Sequence, residues 1–102
     1  MPFANPMELG IHFAKHGHKF GLTTAADYEL MADAFMNGAM NADTHECTRP
    51  SGRDRCRFGY VNRHFGVACV TPVFIRTFYP VSDVKIANRG GSAAFLTYEC
   101  AK

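Results

Sequence analysis

The sequence predicts an α+β domain in which two N-terminal helices pack on one side of an antiparallel sheet of four to five strands. Three observations carry that expectation. Apolar residues recur at helical three- and four-residue spacing up to residue 39. From residue 44 the pattern changes to alternation, interrupted by turn residues at Pro50, Ser51 and Gly52 and again at Thr71 and Pro72. Two helices that are oily on one side need a sheet to cover, and the alternating segments follow them directly. With 102 residues and 47% hydrophobic composition, residues 1–102 fit a single domain with an adequate core.

Taken in order, residues 1–6 form a short arm, and Pro6 suits the first turn of a helix capped by Asn5 and ended at Gly17 or Gly21. The second helix starts at Thr24, with Asp27 three residues on as in a capping box; Tyr28, Met31, Ala32, Phe35 and Ala39 trace its apolar face. Strands are expected at 44–49, 53–61, 64–70 and 73–79, the last ended by Pro80. Residues 82–92 read as a polar, glycine-containing loop, and 93–100 as a final edge strand. The expected core comprises Phe13, Tyr28, Phe35, Phe58, Val67 and Ile75.

No apolar run approaches a membrane span, and the N-terminus lacks the pattern of a signal peptide, so the expected setting is the cytoplasm, or the host cytoplasm if the chain is phage-encoded. Cys47, Cys56, Cys69 and Cys100 show no CxxC spacing and sit in apolar runs; they are expected as reduced thiols, with a Cys47–Cys56 bridge across neighbouring strands as the alternative.

The first helix carries the chemistry. His12, Lys15, His16 and Lys19 fall at i, i+3, i+4 and i+7, so two imidazoles and two ammonium groups share a stripe. Met7, Leu9, Ile11, Phe13 and Ala14 fill the apolar flank. Such a stripe is either an acid/base site or a solvated basic face. A second basic feature lies further on. Residues 1–43 hold two lysines against five acids, and residues 44–102 hold nine Lys/Arg against four acids. Arg49, Arg53, Arg55, Arg57 and Arg63 cluster beside Phe58, Tyr60 and Phe65, the mixture expected where phosphates and unstacked bases, or a partner protein, are held. The same row would also serve as a charged guard on an edge strand.

The run H-F-x-K-H-G-x-x-F-G at 12–21, T-A-x-x-Y at 24–28, H-F-G-V at 64–67 and I-R-T-F-Y-P at 75–80 together resemble the barnase/EndoU/colicin/RelE-like ribonuclease superfamily. The resemblance covers roughly residues 9–80 and implies helices on an antiparallel sheet and toxin-type cleavage of RNA without a metal or other cofactor. An immunity or antitoxin protein is then the implied partner beside RNA itself. Many members carry a lysine beside the proline of the last strand, where this chain has Tyr79 and Pro80.

Metal-free RNA cleavage needs a base for the 2′-hydroxyl, an acid for the leaving 5′-oxygen and cations around the phosphorane. His16 and His12 are the candidates for base and acid. Lys15 and Arg76 are candidates for charge stabilisation, and Thr77 and Tyr79 for phosphate hydrogen bonds. Strand alternation places Arg76 opposite Thr77 and Tyr79, so both sets share one surface only across a bulge. His18, His45 and His64 remain alternative proton groups. Zinc at His12 and His16 lacks the glutamate of HExxH and a cysteine pair. The rival to an enzyme is a free-standing, phage-encoded interaction protein, such as an anti-CRISPR inhibitor docking its arginine surface on a bacterial defence complex.

Overall fold

The computed structural model describes residues 2–102; Met1, where the expected arm begins, lies outside them. Helix α1 spans Pro6–His16. The Asn5 side chain accepts from the Glu8 amide at 2.9 Å, Pro6 sits where a missing N–H costs nothing, and Lys15 and His16 face the negative end of the helix dipole. A 3-10 turn, Gly17–Phe20, follows and closes on Gly21 at φ 71°, a left-handed conformation open to glycine. Helix α2, Ala25–Asn37, is capped by Thr24, whose hydroxyl accepts from the Asp27 amide.

Four strands come next: β1 Thr44–Thr48, β2 Asp54–Gly59, β3 His64–Val70 and β4 Val73–Pro80. They form an antiparallel meander in the order β1-β2-β3-β4, with the two N-terminal helices on one face. That face presents Ala68, Ile75 and Phe78 to Tyr28, Ala32 and Met36 of α2, with Phe13 and Phe20 packed against them. Gly66 permits the close approach, because a Cβ there would strike the Met36 sulfur. The Tyr28 hydroxyl donates to the buried Phe78 carbonyl and so ties helix to strand.

The C-terminal quarter differs from the sequence expectation. Residues 82–92 are not a loop and 93–100 are not a strand: they form α3, Asp83–Arg89, and α4, Ser92–Cys100. This helical pair covers the second face of the sheet, where Val81, Ile86 and Phe95 pack on Phe58, Phe65 and Val67. A fifth strand would have left those side chains wet, so burial decides for helices over a short apolar run whose period is ambiguous. Of the expected core, Tyr28 and Ile75 belong to the first layer and Phe58 and Val67 to the second. Phe13 and Phe35 are only half-buried. Met7 and Ile11, expected on the covered flank of α1, are 74% and 54% exposed.

The cysteine reading also changes. Cys47 and Cys100 form a disulfide across 53 residues, with Cα atoms 6.1 Å apart. Cys56 and Cys69 remain buried thiols. Cys56 is the cross-strand partner of Cys47, but α4, unforeseen as a helix, brings Cys100 to the same sulfur. The bridge overturns the expectation of reduced thiols at Cys47 and Cys100 and replaces the Cys47–Cys56 alternative; such bridges persist in oxidising compartments. Among the described residues, no helix is long and apolar enough to cross a membrane.

Candidate active site

A bulge in the edge strand β4 decides which side chains meet. Val67 pairs with Thr77 and Ala68 with Ile75, which leaves Arg76 as the extra residue. Ile75 and Phe78 can then both reach the core beneath α2, while Tyr79 packs with the second layer. Along this edge His12, Lys15 and His16 of α1 and Lys19 of the following 3-10 turn line a cleft of about 370 Å³ together with Thr77 and Tyr79, and Ser82 and Lys85 close its far side. Five of the six candidate catalytic residues thus come together. Arg76 does not: its Nε donates to Asp54 at 2.7 Å, and it lines a separate hollow with Asn5, Glu8 and Phe74.

Within the cleft the side chains form a contiguous chain. The His16 ring, 6% exposed, stacks on Tyr79 at 5.1 Å and lies 6.2 Å from the His12 ring. Lys19 Nζ stands 3.3 Å from His16 Nδ1. An ammonium only donates, so Nδ1 accepts and neutral His16 carries its proton on Nε2. On the far side Lys85 Nζ donates to the Tyr79 hydroxyl at 3.2 Å and lies 4.9 Å from the centre of its ring. Burial, helped by the charges of Lys19 and Lys15, pushes His16 down to about 4. Burial also lowers His12, but there Glu8, 3.7 Å from Nε2, works in the opposite direction. Its Nδ1 is buried without a hydrogen-bond partner among the described residues. Burial, then the charge of Glu99, raises the Tyr79 phenol to about 12, so it stays protonated and able to donate.

Most of the arginine cluster has internal partners. Arg57 donates to the Phe35 and Gly38 carbonyls at 2.9 and 2.8 Å and pairs with Glu46. Arg55 donates to the Met36 carbonyl at 2.6 Å, to Asn37 and to Glu46. Between them they bond the Phe35 and Met36 carbonyls that the last turn of α2 leaves open, and the carbonyl of its cap Gly38. Burial alone would raise the Glu46 carboxyl; its bonds to Arg57 and Arg55 outweigh that and hold it below its usual value. Arg49 is bound to the carbonyl and carboxylate of Glu99, itself 3% exposed, and Arg63 pairs with Asp83. Arg53 is exposed and has no side-chain bond among the described residues. Arg57→Ala, which strips two helix carbonyls and a carboxylate of their donor, should therefore cost about 2–3 kcal/mol in urea unfolding. It should leave the salt dependence of any RNA binding unchanged; a change in that slope with no loss of stability would make Arg57 a phosphate ligand.

The other histidines lie outside the cleft. His64 sits among Phe20, Phe35 and Phe78, where burial lowers its pKa. His45 lies against Tyr60, and His18 is exposed. Among the described residues no three His, Cys, Asp or Glu side chains are grouped to hold a metal ion. Lys85 and Ser82 are the cleft residues that sequence reasoning missed, because 82–92 read as a loop. The signal was there: Ser82 as N-cap, Asp83 in the first turn and Gly90 just past the end mark a short helix. Compared with known proteins, the chain matches no family model and no curated protein.

Proposed function

We propose that the protein cleaves RNA by metal-independent general acid/base catalysis in the cleft at the β4 edge. The observation that carries this reading is the meeting of His12, His16, three lysines, Thr77 and Tyr79 in one nucleotide-sized space. The motif order that resembles the barnase/EndoU/colicin/RelE-like superfamily points the same way.

The two imidazoles divide the proton roles by environment. His16 is buried against Tyr79 beside Lys19 and Lys15 and is neutral at working pH, which suits the base; His12 has Glu8 to support its charged form, which suits the acid. When a phosphate enters, Lys19 exchanges His16 Nδ1 for an anionic oxygen, since a charge-assisted bond is the stronger one. The freed Nδ1 lone pair then takes the 2′-hydroxyl proton. The 2′-oxygen attacks phosphorus, the 5′-oxygen leaves with a proton from His12, and the products are a 2′,3′-cyclic phosphate and a 5′-hydroxyl. Lys15 and Lys19 stabilise the phosphorane charge, and Thr77 and Tyr79 donate to its non-bridging oxygens. RNA is the substrate in this scheme, and a toxin-like enzyme of this kind implies an immunity or antitoxin partner.

The test is incubation of the protein with total RNA and with DNA of matched sequence, in excess chelator, beside a His16→Ala control. RNA should be cut to cyclic-phosphate ends, DNA should not, and the control should be inactive. Intact RNA at high protein concentration would sink the enzyme reading in favour of a non-catalytic, phage-type interaction protein.

A further inference from the structure

The cleft carries more positive charge than one phosphodiester needs. Lys15 and Lys19 enter from the N-terminal layer and Lys85 from the C-terminal layer, and among the described residues no carboxylate lines the space between them. Glu8, the acid beside His12, lies in the neighbouring hollow. An internal phosphodiester brings one negative charge, whereas a terminal phosphate brings roughly 1.5 to 2 at pH 7 and three strong acceptor oxygens.

We infer that this cleft binds a phosphomonoester, the terminal phosphate of a nucleotide or of a nucleic-acid end, with Lys19 and Lys85 as its paired cations and the Tyr79 hydroxyl as the donor between them. The inference rests on the same site as the nuclease reading but not on cleavage. Three contacts support it. Lys85 donates to the Tyr79 oxygen at 3.2 Å, so the phenol's own hydrogen is turned away from Lys85 and is free to donate to an anion. His16, stacked on the same ring at 5.1 Å, holds Lys19 at 3.3 Å through its Nδ1. That neutral acceptor is one an ammonium readily exchanges for an oxyanion. The position of Lys85 is fixed by the fold: Ser82 caps α3 on the Lys85 amide at 3.2 Å, and the adjacent Ile86 is buried in the second core.

The experiment measures binding of one short DNA oligonucleotide, which lacks the 2′-hydroxyl and cannot be cut, with and without a terminal phosphate at either end. At low ionic strength, so that screening is weak, the phosphorylated form should bind about 10-fold tighter or better, and inorganic phosphate should compete with it. Lys19→Met and Lys85→Met should each reduce that advantage to about 3-fold or less, and Arg53→Ala should keep it. A mononucleotide binding as tightly as the phosphorylated oligonucleotide would identify free nucleotides as the source, and weaker mononucleotide binding would identify strand ends; both are phosphomonoesters. Equal affinity of the two oligonucleotides, or an advantage that survives both lysine substitutions, would overturn the inference. RNA left uncut alongside a clear phosphate advantage would overturn the nuclease reading alone.

Discussion

His16→Gln is expected to lower the rate of RNA cleavage by about 10²- to 10⁴-fold, the usual contribution of a positioned general base. Glutamine keeps a polar group beneath Lys19 and approximates the imidazole's size against Tyr79, so the loss should fall on kcat while binding of an uncleavable DNA analogue changes little. The pH profile tests the role more sharply. Free His16 ionises near 4 and His12 below its ordinary 6.5, so kcat/KM, which reports the free enzyme, should peak on the acid side of neutrality. Bound phosphate offsets the lysine charges and raises both values, so the kcat optimum should lie at higher pH. Stability gives an independent readout. The folded His16 value lies below the unfolded one, so between about 6.5 and 4 the unfolded chain binds more protons. The stabilising difference is present above the unfolded value and is lost as pH falls through the folded one. His16→Gln should flatten that acid limb. A variant that cuts RNA at the parent rate would remove His16 from the chemistry.

Replacing the disulfide with Cys47→Ser and Cys100→Ser should cost about 4 kcal/mol, from the loop-closure entropy of 53 residues in the unfolded chain. The loss should appear as a lower urea midpoint, and reductant should reproduce it in the parent protein while adding nothing to the double variant. Replacing both cysteines avoids leaving Cys47 free beside Cys56, its cross-strand partner. The effect should centre on α4, where Arg49 bound to Glu99 and the buried Phe95 would remain as the main ties to the sheet. A loss under about 1 kcal/mol would mean that the bridge does not constrain the unfolded chain.

The two chain halves were unequally legible. Asn5 with Pro6, Thr24 with Asp27, and the alternation from residue 44 each act through neighbours a few residues away, and the helices and strands they predict are present within a residue or two. In residues 82–100 the cap signals of α3 at Ser82 and Gly90 were overlooked, whereas α4 has no side-chain cap to mark its start, and both helices are too short to be stable alone. Their helical state depends on Phe58, Phe65 and Val67 needing cover, and that need exists only once the sheet has formed.

The sequence by itself determined that His12, Lys15 and His16 share a helix stripe, because 3.6-residue periodicity is a local property; Lys19, expected on the same helix, reaches the cleft from the 3-10 turn that follows it. It also determined that Arg76 and Tyr79 could line one surface only across a bulge. Tertiary structure alone decided that Thr77 and Tyr79 join the stripe while Arg76 pairs with Asp54, because the β4 bulge is fixed by pairing with β3. It likewise decided that Arg55 and Arg57 cap α2, and that Lys85 enters the cleft from the opposite layer. Those outcomes depend on which distant carbonyl or ring each charge finds after packing, and no spacing along the chain encodes that.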